Sequence, residues 1–564
     1  MTAWSRPEGG REPAAAALLG WLADPSAPPL CVVAGSEVCG KTSLLAWLVR
    51  HGSRHGTPSE RMVHAVVPVA ARTVLGTVWS LGEQLGVLAR SAEELTARLA
   101  GDGRRTVVVL PNVEQVAVAE LAVALAAVPQ VRVIVECRTG SAPHGALAGR
   151  QAAVLDLDLP QWTDPEAYAR WLSSESATSA RLSSRPGKHR VPKVDLGDVA
   201  AVCAADPQAV TAALEADPKA GDERLRAAWL RAGSSLVRDQ DAAQRAVVLL
   251  TALEHGSGSA VRAELEAVAA ASPWRVRWVL GRGDLVPPWP GPVVALAPGG
   301  DRFPGAVLVV DLFGTIRRVA FEDGAPEGRI LGSPASALGV LQDGSVLCLQ
   351  DTGGIAAETR WSQRSASRGI ASLVQEQSYA ADSLEAVLQG QQGTALAAAP
   401  STDGDVVAVG CATGEVRVLG AVEDQVCLHS GPVTGVAVVS VPLGEGAVTS
   451  VVYSGGADGT VRLWAPGGEP MAAPYVRRGC PVVAVHAALT SRGPALAIAW
   501  ADGLVELHEP GLGHVRGFHP GRPVRGLAVT PTGEVVVGLD DALICLFLST
   551  EASAQEGGVP GQRS

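Results

Sequence analysis

The chain has 564 residues, 47% of them apolar and 18% charged, with a net charge of −11 and a pI near 5.6. That balance excludes a disordered chain, and it disfavours nucleic acid as a partner, because broad phosphate-backbone binding needs clustered Lys and Arg. The length predicts several domains.

Only four lysines occur, Lys41, Lys188, Lys193 and Lys219, and the remaining basic residues are Arg. With so much Ala, Gly and Val, the chain has the bias of a GC-rich genome, in which each lysine is a rare choice. Nine cysteines show no C-x-x-C pair and no His/Cys cluster at ligand spacing, so a structural zinc site is not expected. They read as reduced and mostly buried. The start, "MTAWSRPEGGREP", lacks the pattern of a signal peptide, and no apolar run approaches the ~20 residues needed to span a bilayer. A soluble cytoplasmic protein with no membrane partner is expected.

The first half alternates strands and helices. Apolar runs lie at 31–34, 62–70, 106–110, 131–136 and 152–159, and helical spacing appears at 73–100 and 114–128 between them. Continuous apolar strands separated by helices predict a five-stranded parallel sheet covered on both faces.

The first strand runs into "GSEVCGKTS", Gly35, Ser36, Glu37, Val38, Cys39, Gly40, Lys41, Thr42 and Ser43, and a helix-like "LLAWLVR" follows. Strand, G-x-x-x-x-G-K-[ST], helix is the context of a P-loop. The glycines let backbone N–H groups curl around phosphates, and the helix N-terminus adds partial positive charge. Lys41 is expected to reach the β- and γ-phosphates, and the Thr42 hydroxyl to ligate Mg²⁺. These nine residues are the expected nucleotide-binding set. No guanine-reading N-K-x-D motif occurs, so ATP is preferred.

P-loop enzymes carry a magnesium-binding acid at the end of a later strand. Here the candidate strand "TVVVL" runs into "PNVEQ" and places Pro111 there, a residue that can neither ligate a metal nor donate a hydrogen bond. Asn112 is a weak substitute. Glu114 stands three residues later, where it could polarise an attacking water. Asp156 and Asp158 in "VLDLDLP" read as a structural alternation near a strand end. Arg138, after the fourth strand, is a candidate γ-phosphate sensor.

These segments resemble the STAND class of signalling P-loop ATPases, including its NACHT-like group, over roughly residues 15–280. The resemblance rests on "GSEVCGKT", "TVVVLPNVEQ", "VRVIVECRTG" and "LDLPQWTDPEAYARWL". It implies ATP as cofactor, Mg²⁺ beside it, and a helical, winged-helix-like lid that closes on nucleotide. The chain departs from the class at Pro111, which puts hydrolysis in doubt.

Residues 173–193 are rich in Ser, Arg, Lys and Pro and read as an exposed linker. Helical spacing returns over 195–270, and prolines at 273, 287, 288, 290 and 292 then mark a boundary.

From about residue 293 short strands alternate with glycine turns. "SGGADGTVRLW", Ser454 to Trp464, reads strand, Asp-Gly turn, strand, and it resembles a blade of a WD-repeat propeller. The resemblance implies a structural tetrad of His429, Ser454, Asp458 and Trp464. Further turns give positions 314, 353, 414, 459, 503 and 542, spaced by 39, 61, 45, 44 and 39. Six blades are visible. The wide gap holds a partly helical stretch at 370–390, an insertion or a degenerate seventh blade.

The expected organisation is an N-terminal extension (1–28), a P-loop NTPase-like domain (29–172), a linker (173–194), a helical domain (195–280), a Pro-rich linker (281–292), an all-β propeller of six or seven blades (293–550) and a tail (551–564). Together they predict a regulatory or sensor protein. A degenerate nucleotide switch is coupled to a propeller that recognises a protein partner or trigger. So few residues precede the loop that output is expected through a homo-oligomer or a separate protein. Two readings stand beside this one: a propeller scaffold with a vestigial loop, and a slow Mg²⁺-dependent ATPase using Thr42, Glu114 and waters.

Overall fold

A computed structural model describes residues 5–549 apart from 38, 55, 70–71, 173–193, 218, 255–258, 282–292, 301–302, 332–333, 342–344, 359–386, 389, 402–403 and 445–446. The chain divides into two units. One comprises Met1–Glu223 with Leu236–Asp239, and the other Arg224–Ser235 with Gln240–Ser564.

The first unit holds a five-stranded sheet: β1 (Leu30–Ala34), β2 (Ala65–Val66), β3 (Thr106–Leu110), β4 (Val131–Glu136) and β5 (Ala152–Asp156). Its order is β2-β3-β4-β1-β5, and every pairing is parallel. β1, β3 and β4 are buried throughout, as central strands covered by helices must be. The 1–28 segment is more than an extension. It forms helix α1 (Glu12–Ala23), whose Leu18, Trp21 and Leu22 pack into one core with Val33, Leu45 and Ile134.

The second unit is a ring of small antiparallel sheets. Their innermost strands are Ala295–Pro298, Ala335–Val340, Ala395–Ser401, Val433–Gly444, Val482–Thr490 and Val524–Val529. Each lies against the next, and the sixth lies against the first, so the ring closes with six blades and has no room for a seventh. Five blades have four strands, and the blade that begins at Ala335 has three among the described residues. The 370–390 stretch falls almost wholly outside the described residues. The second and third strands of the blades join at the turns read from the sequence. Gly314, Gly353, Gly414, Gly459 and Gly503 have φ between 72° and 89° there, the left-handed region that favours glycine.

Ring closure differs from the sequence reading. Trp274–Gly281, expected to end a helical stretch, is a strand, β6. It pairs antiparallel with Ala542–Leu548, Trp278 opposite Cys545, and completes the sixth blade. A strand from before the first blade therefore covers the edge of the last, which removes an open edge. Helix Ala242–Ala252 lies against β6, and its residues Val247 to Ala252 are buried. The stretch expected as one helical domain thus contributes helices to both units.

Candidate functional site

β1 delivers the Gly35–Thr42 loop to the carboxyl end of the sheet, where open α/β sheets bind ligands. The loop turns at Gly35 (φ 150°) and Gly40 (φ 93°). Its last two residues open helix α2 (Lys41–Gly52), with Gly40 as N-cap and no side chain capping the first N–H groups. Those donors are the groups an anion would satisfy.

Lys41 is 9% exposed and folds back onto the loop, its Nζ donating to Gly35 O at 3.0 Å and Ser36 O at 2.6 Å. Cys39 lies against it, and burial pushes the Cys39 thiol up, so it stays uncharged. Ser36 donates through its N–H and hydroxyl to Asp158, at 2.7 and 2.8 Å. Asp158 therefore braces the loop, and Asp156 accepts the Asp158 N–H at 3.1 Å. Glu37 pairs at 3.5 Å with Arg138, both side chains exposed. Ser43 is exposed on α2, and Val38 lies outside the described residues.

The Thr42 hydroxyl donates to Glu136 Oε1 at 2.6 Å. Glu136 ends β4, is 2% exposed, and its Oε2 has no hydrogen-bond partner among the described residues. Burial pushes its pKa up, and the Thr42 hydrogen bond, the Lys41 charge and the nearby Asn112 amide act the other way. Pro111 is buried at the end of β3, and its carbonyl accepts from Val69 N–H. Glu114 is exposed and makes no bond to the loop among the described residues.

Sequence reasoning missed two residues here. Glu136 closes a run read only as a strand, although an acid directly after the apolar Val133, Ile134 and Val135 was a signal. Arg11 carried none. It is 8% exposed and donates to Leu157 O at 3.0 Å, to Thr163 Oγ1 at 2.7 Å and to Cys39 O, which pins the loop from beneath.

In the ring, His429 Nε2 meets Ser454 Oγ at 2.9 Å, and its Nδ1 lies 3.1 Å from both Asp458 Oδ1 and Thr460 Oγ1. Trp464 stands apart: its indole N–H donates to Gly468 O at 2.9 Å. The reason is register. Trp464 sits opposite Val452, one strand repeat beyond the Ser454–Arg462 pair. Thr460 takes the fourth place, donating to Asp458 at 2.8 Å. Other blades keep the acid at the turn and change its partner. Arg478 holds Asp502 at 2.8 and 3.2 Å, and Arg522 holds Asp541 at 3.0 Å. Arg478 lies four residues before its inner strand, the same offset as His429, which was the signal available in the sequence.

The six inner strands enclose a cavity of about 370 Å³, lined mainly by Val, Ala and Leu, with His486 and Arg525 among its polar residues. Nothing around it forms a catalytic constellation, and among the described residues no three His, Cys, Asp or Glu side chains converge to hold a metal.

Residues 427–465 match the model of the WD40 family, "WD domain, G-beta repeat". The C-terminal unit is a WD40 propeller. Many solved structures resemble part of the chain. Among them are the WD40 repeats of RRP9 (13% identity, TM-score 0.31, 50% of this chain and 98% of that one) and U3-55K (13%, 0.30, 50% and 99%). No curated protein matches the sequence. WD40 propellers offer rigid surfaces for protein docking, so the fold suits a protein–protein interaction scaffold. No helix among the described residues is long and apolar enough to cross a membrane.

Proposed function

We propose that this chain is a cytoplasmic nucleotide-binding regulator of STAND type, in which ATP with Mg²⁺ occupies the Gly35–Thr42 loop and the WD40 propeller recognises a protein partner or trigger. The observation that carries this reading is the loop itself. A G-x-x-x-x-G-K-T run joins a buried central strand to an uncapped helix at the ligand-binding edge of a parallel sheet. Lys41 already sits across the mouth of the loop, bonded to two of its carbonyls, and a phosphate would compete for its ammonium. Binding is favoured over turnover, because the end of β3 offers Pro111 and Glu114 is exposed without a bond to the loop. Output through a homo-oligomer belongs to the same reading.

The second reading, a scaffold with a vestigial loop, draws on the same Pro111 and on a propeller whose docking role stands without nucleotide. Calorimetry of ATP binding to the native chain and to Lys41→Ala separates the two. Binding that is lost in the variant supports the switch. Absence of binding in the native chain retires it and leaves the scaffold.

A further inference from the structure

We infer that Glu136, from β4, supplies the magnesium carboxylate that β3 lacks, which rests on the nucleotide reading above. Three observations meet at this side chain. Its Oε1 accepts the proton of Thr42, the hydroxyl positioned by the loop, at 2.6 Å. Its Oε2 is buried and has no hydrogen-bond partner among the described residues. The Lys41 charge acts on it, but no cation forms an ion pair with it among the described residues, and Glu136 is only 2% exposed. A buried carboxylate with an open oxygen is expensive unless a positive charge arrives.

A dication bound with nucleotide would satisfy that oxygen. With its proton committed to Glu136 Oε1, the Thr42 hydroxyl keeps its lone pairs for the ion, and Oε2 is left for the ion's shell. The donor set is all hard oxygen, as Mg²⁺ prefers, and one carboxylate suffices because the ion keeps waters and phosphate oxygens. Sheet order explains the relocation. β4 lies between β3 and β1, so the end of β4 is nearer the loop than the end of β3.

The test is ATP affinity by calorimetry, with Mg²⁺ and with a chelator, on the full chain. The native protein should bind ATP about tenfold or more tightly with Mg²⁺, the scale of one charge-assisted contact. Glu136→Gln keeps one oxygen to accept from Thr42, removes the charge and replaces the other oxygen by an NH2 that cannot ligate an ion. It should retain ATP binding in chelator and lose the Mg²⁺ gain. Thr42→Ala, which removes both the hydroxyl that would meet the ion and the hydrogen bond to Glu136 Oε1, should lose it too. If Glu136→Gln keeps the full gain, Glu136 is merely a structural partner of Thr42 and the inference falls. If the native chain binds ATP equally with and without Mg²⁺, the inference falls while the nucleotide reading stands. Absence of ATP binding in every condition overturns both.

Discussion

Thr42 Oγ1 lies 2.6 Å from Glu136 Oε1, across 94 residues of sequence. The contact follows from strand order. β1 and β4 are neighbours, ~4.8 Å apart in the sheet, whereas the end of β3 is two strands away. An acid on β4 therefore reaches the loop-side helix where β3 carries Pro111.

The loop depends on glycine at its first position. A Cβ on Gly35 would lie 2.5 Å from Cys39 Sγ, at a φ of 150° that side chains rarely adopt. Gly35→Ala should lower stability by about 1–3 kcal/mol and abolish ATP binding. Thermal melts and calorimetry on the variant check both.

Arg11 ties three segments together through carbonyls of Leu157 and Cys39 and the hydroxyl of Thr163. Arg11→Ala should cost about 2–3 kcal/mol, since hydrogen bonds to charged groups are the stronger kind. Arg11→Lys should not restore it, because an ammonium cannot reproduce the guanidinium fork. Urea unfolding of the three proteins measures the difference.

In the WD40 propeller, Ser454→Ala removes the partner of His429 Nε2 in a site where both residues are buried. It should cost about 1–3 kcal/mol, the desolvation penalty of an unpaired group. Gly456→Ala should be at least as harmful, with its Cβ 2.4 Å from His429 Nδ1 and 2.7 Å from Asp458 Oδ1. Trp464→Phe should leave the His429 network intact, because its indole bonds Gly468 instead. The His429 imidazole signals in NMR spectra should move in the first two variants and stay in the third.

Acid should destabilise the propeller before its carboxylates titrate. Burial holds His429 below its usual pKa, against the pull of Asp458, and holds His486, inside the channel wall, at about 4. His486 also accepts the Val529 N–H at 3.0 Å through Nδ1, which requires that nitrogen unprotonated. Both folded values lie below the unfolded one, so the unfolded chain takes up protons first. This stability is complete above about pH 6.5 and is lost as pH falls, by at most about 1.4 kcal/mol per unit for each histidine. Urea midpoints measured from about pH 7.5 down to 5 should fall, and less steeply in His486→Asn.

Local patterns in the sequence already determined the five apolar strands, the glycine-framed loop and the blade period, because each depends on residues close along the chain. The turn glycines at 314, 353, 414, 459 and 503 stand where the ring places them. Only the tertiary structure decided what distant segments do together. β6 reads as alternating Trp, Val, Trp and Leu from Trp274 to Leu280, yet its partner is Ala542–Leu548 at the far end of the propeller. Six blades follow from the first and sixth inner strands meeting, which no repeat count can state. Thr460 displaces Trp464 from the His429 network by one step of register. Glu136 reaches Thr42 only because the crossover order sets β4 beside β1. Periodicity specifies which face of an element is buried, whereas the choice of neighbour is made by chain crossings and ring closure.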